Sequence, residues 1–489
     1  MLQLRLERSL EADVIVVGAG PAGAATAAHL VHAGRSVLLV DRRSFPRDKV
    51  CGDFVGPAAI VELERLGITS YADFGVTNRI RRAALHLDGE LLIRKEMPAV
   101  TGLPTQGRVI PRLLLDDWVL RSALRAGAEM LAGDQVTGYT VHGDGVEVTT
   151  TRGRRLRCRA LVGADGSTSL VARALRGHKA APENRIIAVR AYYEGVTSPD
   201  DEALLLFTRE SFPGYSWLFP TGPGTANVGI GMVLETVPRV GDQLAALLAD
   251  TVARDPALSP RLAGARLVGR VAAWPLTTYD PREAVVGDRV VLVGDAAGLI
   301  NPLNGEGIQY ALASGRWAAE ALVGQLAADD LGRPALGRYA ETVRRELRYD
   351  MALAGLVVQL IRCRALTPVW FEALRAITSR SATDPAYAFA AGGILAGIVP
   401  ANQALSARVV GGTVAGAAAR VAVGAGPGMA VAAAGSGFAL AYDALRDPAL
   451  VGGWVRSVLR GSIELAGQAA VDAGRRARPA SRQRSRSIM

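Results

Sequence analysis

The fold is decided by the stretch DVIVVGAGPAG, which occupies residues 13–23. Its first part, Asp13 to Val17, is a short run of mostly β-branched apolar residues, which is typical of a buried strand. A glycine-rich turn follows, and an alanine-rich helical pattern then extends to about Ala33. Gly34 ends this helix, and residues 36–40 (SVLLV) predict a second strand. The order strand, helix, strand predicts a β-α-β unit with parallel strands.

The turn itself has the spacing G-x-G-x-x-G, at Gly18, Gly20 and Gly23. This spacing is informative because it follows a strand, opens a helix and is followed by Asp41 at the end of the second strand. Gly18 would permit the tight turn, Gly20 the approach of the backbone to a pyrophosphate, and Gly23 close packing of helix on strand. The helix N-terminus would face the phosphates, and Asp41 would accept hydrogen bonds from ribose hydroxyls. The unit is predicted to bind a dinucleotide, and the turn alone leaves NAD and FAD open.

The composition bounds the class of protein. The chain has 489 residues, of which 49% are hydrophobic, so it is long enough for two or three domains. Its three cysteines, Cys51, Cys158 and Cys363, form no C-x-x-C pair and its five histidines are scattered, so we expect neither disulfides nor a metal site. This pattern is typical of a reducing, cytoplasmic environment. No cleavage site precedes the glycine-rich turn, so no signal peptide is predicted.

The charge is unevenly distributed. The formal net charge is +10, and residues 475–489 contain six arginines and no acidic residue. We expect a solvated, disordered tail there, with peripheral membrane contact as an alternative. No nucleic-acid partner is expected, because no nucleic-acid-binding motif accompanies the charge. Residues 421–442 contain no charged residue and are mainly Ala, Gly and Val, so a buried helical layer and membrane contact both remain open.

Later segments predict the remaining parts of the molecule. Residues 161–164 and 290–293 are two further buried strand patterns, and residues 109–128 predict a long amphipathic helix after Pro111. Residues 181–275 alternate with period two, which predicts an antiparallel sheet with one face free to line a pocket. The predicted domains are a discontinuous dinucleotide-binding domain (12–75, 105–180 and 276–345), a substrate domain (76–104 and 181–275), a C-terminal helical region (346–474) and the basic disordered tail (475–489).

Two later motifs decide between NAD and FAD. Residues 160–167 read ALVGADGS, and residues 288–307 read DRVVLVGDAAGLINPLNGEG. With these motifs the chain resembles the flavoprotein superfamily that contains aromatic hydroxylases, flavin halogenases and geranylgeranyl reductases. The resemblance implies an α/β fold: a Rossmann-type, glutathione-reductase-like domain that binds FAD non-covalently, an inserted antiparallel β-sheet substrate domain and a C-terminal helical region.

The resemblance also implies places for individual residues along FAD. Asp295 would contact the ribityl and pyrophosphate part, Asp165 would lie beside the cofactor, and Arg112, which opens a helix, would lie along it. The helix that begins near Ile308 would point its N-terminus at the flavin ring, where its dipole stabilises negative charge. The residues expected to bind the cofactor are Gly18, Gly20, Ala22, Gly23, Asp41, Arg42, Arg47, Cys51, Arg112, Val136, Asp165, Asp295, Gly305, Gly307 and Ile308.

Two segments narrow the resemblance to the geranylgeranyl reductase group. Residues 45–52 read FPRDKVCG, and residues 215–220 read YSWLFP before an NVG at 227–229. Tyr215, Trp217 and Phe219 fall on one face of a strand by period two, and they would form an aromatic wall beside the flavin. The alternative for these three aromatic residues is ordinary sheet core.

Two departures from that group point to a different reaction. Phe54 follows the CGD sequence at residues 51–53, where a small residue is usual, and it would restrict access to the flavin. The chain also continues well past the usual end of this fold. With these features the chain is similar to the FAD-requiring dialkyldecalin synthases of spirotetronate polyketide pathways, which catalyse an intramolecular [4+2] cycloaddition without net redox change.

The sequence therefore leaves several reactions open on an apolar polyene substrate. In a cyclase, FAD would be structural and catalysis would consist of holding diene and dienophile in a reactive geometry, with Tyr215, Trp217, Phe219 and Phe54 as pocket residues. The alternatives are a reductase of prenyl double bonds, with FAD reduced by NAD(P)H, and a flavin monooxygenase. No second dinucleotide fingerprint is visible, which does not discriminate between these reactions. The catalytic residues and the oligomeric state stay undetermined.

Overall fold

The computed structural model describes residues 11–237, 243–395, 454–463 and 466. The N-terminal β-α-β unit is present as β1 (Glu11–Val17), α1 (Pro21–His32) and β2 (Val37–Asp41). The two strands pair in parallel, with Val14 opposite Val37. Residues 14–17 of β1 and all of β2 are buried, which explains why their sequences are continuous apolar runs.

The two strands belong to a mixed sheet that has eight strands within the described residues. Its other strands are β8 (Glu129–Ala132), β9 (Val136–Val141), β10 (Val146–Thr150), β11 (Arg155–Gly163), β17 (Val286–Gly287) and β18 (Val290–Leu292). The order is β17-β18-β11-β1-β2-β8, and β10 and β9 continue from β11. The carboxyl ends of the parallel strands β1, β2, β11 and β18 meet at one edge, where open α/β sheets bind their ligands.

A second sheet has seven strands among the described residues and lies beside this edge. Its strands are β5 (Arg82–Leu87), β6 (Glu90–Glu96), β12 (Arg185–Glu194), β13 (Glu202–Phe207), β14 (Tyr215–Gly222), β15 (Thr225–Val233) and β16 (Arg266–Thr277). Their order is β16-β12-β15-β14-β13-β5-β6. All neighbours are antiparallel except β13 and β5, which are parallel. The antiparallel pairing predicted for residues 181–275 is confirmed. The parallel pair involves β5, which lies outside that range and is connected to β13 by a long crossover.

A small antiparallel sheet joins the two larger ones. It consists of β3 (Phe54–Val55), β7 (Gly107–Val109) and β4 (Asn78–Ile80), in that order. The predicted helix over 109–128 was wrong at its start, because Val109 ends β7 and the helix begins at Arg112. Pro111 disfavours a helical conformation at the residue before it, and the Ile110 amide donates to the Asp53 carbonyl.

The helices cover the first sheet and then extend over the cavity described below. They are α2 (Pro57–Arg65), α3 (Ala72–Gly75), α4 (Arg112–Ala126), α5 (Leu170–Arg176), α6 (Gln243–Arg254), α7 (Ser259–Leu262), α8 (Gly294–Ala297), α9 (Ile308–Ala328), α10 (Arg333–Ile361), α11 (Thr367–Thr383) and α12 (Pro385–Leu395). Helix α9 packs against both α1 and α2, and the buried Ala and Leu side chains of these helices join the largest hydrophobic core.

The C-terminal region was expected to be helical from about Glu346. Helices α10, α11 and α12 and a helical stretch at 454–463 lie in the described part of it, while residues 421–442 and the basic tail at 475–489 lie outside the described residues. Among the described helices none is by itself long and apolar enough to span a bilayer. One pair, Tyr349–Ile361 with Arg364–Thr383, meets the length and composition criteria only together, and it is bent by 83°.

Candidate active site

A continuous cavity of about 1210 Å³ connects the carboxyl edge of the first sheet with the inner face of the second. This volume exceeds the roughly 300–1,000 Å³ that is typical of a site for one small molecule. One part of the cavity, here called the cradle, is lined by the glycine-rich turn and by charged side chains. The other part, here called the chamber, is lined by apolar side chains of the second sheet and of the C-terminal helices.

The cradle begins at the turn between β1 and α1. Gly18 has φ +100°, and a Cβ atom there would lie 2.4 Å from the Ala164 carbonyl oxygen. A Cβ atom on Gly23 would lie 1.9 Å from the Gly18 carbonyl oxygen. Only glycine fits these two positions, because any side chain would push the strand and the helix apart. The backbone at Gly20, by contrast, is open to the cavity, and its nearest neighbour is the Arg47 guanidinium, 3.3 Å from an ideal Cβ.

Asp41 lies at the end of β2, on the wall of the cradle. Its carboxylate accepts hydrogen bonds from the Ala19 and Arg43 amides, each at 2.8 Å. The carboxylate is therefore oriented by the turn next to it. Arg42 and Val136 line the same end of the cavity, as does Ala22 in the first turn of α1.

A buried ion-pair cluster supports the cradle from α4. Arg112 donates to both carboxylate oxygens of Asp116, at 2.5 and 2.8 Å. Arg47 reaches the same carboxylate at 3.0 Å. Burial alone would lower the pKa of Arg112, but the adjacent Asp116 carboxylate outweighs it and raises the pKa. The predicted cofactor residues Arg47 and Arg112 are thus held together by Asp116, and both line the cavity.

Asp295 lies on the opposite wall, in the short helix α8. It accepts hydrogen bonds from Lys49 Nζ at 3.1 Å and from Ser167 Oγ at 3.2 Å. Burial would raise the pKa of Asp295, but the Lys49 ammonium group outweighs this effect and lowers it. Asp295 therefore stays ionised, and Lys49 is a member of the site that the sequence patterns did not single out.

Asp165 lines the cavity, but its carboxylate is directed at the N-terminus of α5. It accepts hydrogen bonds from Ser169 Oγ and from the Leu170 amide, the latter at 2.7 Å. Burial raises the pKa of Asp165. The carboxylate therefore orders the loop that follows β11, and the backbone of this loop forms the cavity wall.

The far end of the cradle is the turn before α9. Gly305 has φ +71°, and Gly305, Gly307 and Ile308 all line the cavity, so the free amides at the start of this helix face it. Glu306 lies in the same turn and accepts a hydrogen bond from Gln309 Nε2 at 3.1 Å. Burial raises the pKa of Glu306 to about 8, so a carboxyl group that is protonated at neutral pH lies beside the helix start.

The cradle fits a flavin dinucleotide. Its length runs from Asp41 past the open Gly20 backbone to the start of α9, and helix N-termini or arginines are present along it to neutralise phosphates. Cys51 lies on the same wall as a free cysteine. Burial raises the pKa of the Cys51 thiol, so the thiol is neutral and packs against the cavity.

The predicted aromatic residues all line the chamber. The ring centroids of Tyr215 and Trp217 are 6.2 Å apart, those of Trp217 and Phe219 are 6.1 Å apart, and those of Phe219 and Phe54 are 5.6 Å apart. The Tyr215 hydroxyl donates to the Asn304 carbonyl at 2.5 Å, which ties this row to the turn before α9. The row is both a packed cluster and a cavity wall, so the two interpretations of these residues are compatible.

Other chamber residues have no signal in the sequence. The C-terminal helices contribute apolar side chains to it, namely Leu353, Val357, Val358, Ile361, Trp370, Leu374, Ile377 and Tyr387. A buried polar group lies behind the aromatic row: the Tyr192 hydroxyl and the Asn227 amide both donate hydrogen bonds to the Asp53 carboxylate. The NVG segment contained Asn227, but its partners come from distant strands, so no local pattern could have identified the group.

Comparison with known proteins identifies the family. A family model described as an FAD binding domain matches residues 11–329, which is more than half of the chain. The chain belongs to this family. FAD as the cofactor and the predicted fold class are thereby confirmed.

Two similar relatives of this FAD-binding chain are named as reductases. A menaquinone reductase of Mycolicibacterium smegmatis is 37% identical over 328 residues, which cover 63% of this chain and 76% of the relative. A digeranylgeranylglycerophospholipid reductase of Methanopyrus kandleri is 33% identical over 368 residues, which cover 72% of this chain and 91% of the relative. The chain is thus a geranylgeranyl reductase-like FAD-dependent oxidoreductase, as its FPRDKVCG and YSWLFP segments indicated.

A solved structure agrees on the fold. A geranylgeranyl bacteriochlorophyll reductase-like protein from Thermoplasma acidophilum has a TM-score of 0.62 and 23% identity, and covers 69% of this chain and 84% of its own. At this identity the likeness concerns the fold alone. None of these three proteins is a [4+2] cyclase, so the dialkyldecalin synthase resemblance gains no support from them.

Proposed function

We propose that this protein is an FAD-dependent reductase that saturates carbon–carbon double bonds in a long isoprenoid chain. The observation that carries the proposal is the continuity of the cavity, which joins the dinucleotide cradle to a chamber with an apolar, aromatic wall. A chain in this chamber would lie against the rings of Trp217 and Phe219 and would be shielded from water. Menaquinone and digeranylgeranylglycerophospholipid, which appear in the relatives' names, both carry long isoprenoid chains.

The reaction requires two electrons and two protons for each double bond. Reduced FAD supplies a hydride when it is bound, and a proton completes the addition of two hydrogen atoms. The electrons come from a donor such as NAD(P)H. The protein residues have separate parts in this scheme: Arg47 and Arg112 hold the anionic portion of the cofactor, and the aromatic row excludes water and orients the chain.

The test is an anaerobic turnover experiment with purified, FAD-loaded protein. NADPH, NADH or dithionite is added, the flavin absorbance is followed, and menaquinone with an unsaturated isoprenoid chain is then supplied. The products are re-oxidised in air before mass spectrometry, so that a reduced quinone ring returns to its starting state. A remaining gain of two hydrogen atoms per reduced double bond supports the proposal. Reduced flavin that re-oxidises with no lasting mass change in menaquinone or in a geranylgeranyl lipid contradicts it.

The same experiment discriminates against the cyclase expected from the sequence. The chamber would also accommodate a folded polyene, and a cyclisation would draw only on the positioning of reactive groups. A cyclase would consume a linear polyene without mass change while the flavin stays oxidised throughout. A monooxygenase would instead add one oxygen atom and would require air.

A further inference from the structure

Asp53 occupies an unusual position behind the aromatic row. It has φ +62°, a left-handed conformation that costs energy for a residue with a side chain, and its exposed fraction is 0%. A fully buried carboxylate in such a conformation persists only where surrounding groups determine it. Asp53 follows Gly52, whose Cβ position would lie 3.2 Å from the Phe219 ring, so the segment lies directly against the row.

Among the described residues, only one of the two oxygens of the Asp53 carboxylate accepts hydrogen bonds. Oδ2 accepts hydrogen bonds from the Tyr192 hydroxyl at 2.5 Å and from Asn227 Nδ2 at 2.8 Å. Oδ1 has no hydrogen-bond partner among the described residues. The nearby cation, Arg190, is bound by Asp48 at 2.5 and 2.6 Å. A buried carboxylate that lacks a direct cation partner contributes little to stability, so another role has to account for it.

Asn227 connects Asp53 to the cavity wall through hydrogen bonds to Asp53 and Trp217. Its Nδ2 atom donates both to Asp53 Oδ2 and to the Cys51 carbonyl, each at 2.8 Å. Since both acceptors lie on the amide nitrogen side, the amide oxygen must face the other way. There it accepts a hydrogen bond from Trp217 Nε1 at 3.0 Å. The orientation of the amide is thereby determined, and with it the direction of the indole N–H.

Trp217 is the central ring of the aromatic row. It stacks on Phe219 with an interplanar angle of 21°, and its other neighbour is Tyr215. Its indole ring lies over Gly229, where a Cβ atom would come within 2.2 Å of it. Packing on glycine leaves room for the flat ring, and the stacking on Phe219 can slide, whereas the hydrogen bond to Asn227 fixes the direction of the indole N–H.

We infer that Asp53 is a positioning residue that acts through Asn227 to set the plane of the Trp217 ring and hence the shape of the isoprenoid-binding wall. The identity of the ligand rests on the proposed function. The effect on Trp217 does not, because it is a property of the protein alone. The two parts are therefore tested by separate measurements.

The first measurement is fluorine NMR of the FAD-loaded protein labelled with 5-fluorotryptophan. The resonance that disappears in Trp217→Phe belongs to Trp217. Asp53→Gly, which relieves the left-handed backbone and removes the acceptor, should shift or broaden this resonance. Asp53→Asn should leave it close to wild type, because asparagine tolerates this conformation and its amide oxygen still accepts both hydrogen bonds. Tyr192→Phe is the matched control, since it removes the other donor to Asp53 and leaves the Asn227 link intact.

The second measurement is the affinity of oxidised, FAD-loaded protein for menaquinone, by calorimetry. Asp53→Gly should weaken binding about tenfold, as expected for the loss of one buried hydrogen bond. FAD occupancy should stay at one per chain. In a Trp217→Phe background, Asp53→Gly should cause no further loss, because the group through which it acts is absent. If Asp53→Gly does not fold, Asn227→Ala is the substitute, because it removes the amide that joins Asp53 to Trp217 and leaves Asp53 in place. It should shift the Trp217 resonance and weaken menaquinone binding as Asp53→Gly would.

The outcomes are distinguishable. A Trp217 resonance that is unchanged in folded Asp53→Gly overturns the positioning role even if Asn227→Ala shifts it, because Asn227 contacts Trp217 directly. An effect of Asp53→Gly on affinity that is undiminished in Trp217→Phe overturns it as well. Wild-type protein that binds neither menaquinone nor a geranylgeranyl lipid overturns the proposed function instead, and the resonance then still decides the role of Asp53.

Discussion

The cradle and the chamber share one cavity but are constructed differently. The cradle is made from backbone turns and from charged groups with close hydrogen-bond partners, such as Asp41 beside the Ala19 amide and Arg112 beside Asp116. The chamber is made from side chains of β12 to β16, of β5 and of α10 to α12, with aromatic rings 5.6 to 6.2 Å apart. A fixed, charged ligand portion requires fixed donors, whereas a flexible apolar chain requires volume and shape. Substitutions should therefore separate the two functions.

The largest effect on cofactor binding is expected from Gly20→Glu in the cradle. The new carboxylate would lie beside the Arg47 guanidinium, which is 3.3 Å from the Cβ position, and would occupy the anion site itself. We expect FAD affinity to fall more than about a hundredfold, which corresponds to about 2.8 kcal/mol. The measurement is flavin absorbance per chain after desalting. Gly324→Glu is the control, because that helical position has open space around it. Full FAD occupancy in Gly20→Glu would show that the turn does not hold the pyrophosphate.

Arg112→Ala should affect both stability and cofactor binding. It leaves the Asp116 carboxylate fully buried with Arg47 as its remaining partner. Removing one member of a buried pair costs about 3–5 kcal/mol of unfolding free energy. Arg121→Ala is a matched control on the same helix, because Arg121 pairs with Asp117 at the same spacing but is 41% exposed. That change should cost less than about 1 kcal/mol. Equal losses in urea unfolding would contradict the distinction.

Trp217→Ala tests the chamber alone. It removes the central ring of the row, so turnover of an isoprenoid substrate should fall about tenfold or more, through kcat and KM, as an imperfectly positioned chain reacts more slowly. FAD occupancy should stay at one per chain, since Trp217 does not belong to the cradle. Trp317→Ala on α9, a position outside the cavity wall, is the control for a lost indole ring. Loss of FAD together with turnover would mean that the two regions are not separable.

Glu306→Gln, where cradle and chamber meet, should alter neither FAD binding nor turnover strongly and should act mainly on the pH dependence of stability. Burial raises the pKa of Glu306 from its ordinary value of 4.5 to about 8, so the folded protein keeps a proton that the unfolded chain releases. Its contribution to stability is complete below pH about 4.5 and is lost as the pH rises towards 8, by at most about 1.4 kcal/mol per pH unit. The unfolding free energy of wild type should therefore fall relative to Glu306→Gln between pH 5 and 8. Parallel pH profiles would contradict the raised pKa. Asp53, whose pKa is raised to about 6, is common to both proteins and cancels in the comparison.

The sequence-based expectations were more accurate for the cradle than for the chamber. The glycine-rich turn, the strand patterns at 161–164 and 290–293, which fall in β11 and β18, and the FAD cofactor were all predicted, because each depends on a short local pattern. The helix boundary at Arg112 was predicted only approximately, because the Asp53 carbonyl, far away in the sequence, binds the Ile110 amide. The direction of the Asp165 carboxylate, towards α5 rather than into the cavity, was not visible in the ALVGADGS motif.

Of all the properties considered, the reaction was the one that the sequence predicted least well. The C-terminal extension and Phe54 suggested a cyclase, yet the relatives favour the reductase that was the alternative. Phe54 does not close the chamber, because its ring packs on Gly107, where a Cβ atom would be only 2.6 Å away, and joins the aromatic row. A bulky residue next to a cofactor motif thus does not by itself show that access to the cofactor is blocked, because that depends on where its ring lies.

The sequence by itself determined the cradle. Turn conformation, helix start and strand burial depend on residues that are neighbours in the chain, so glycine spacing and apolar runs were enough to predict them. Only the tertiary structure decided the chamber, the salt bridge from Lys49 to Asp295 and the path from Asp53 through Asn227 to Trp217. These contacts join residues from separate sheets and helices. Their existence depends on how two sheets pack, and no local pattern carries that information.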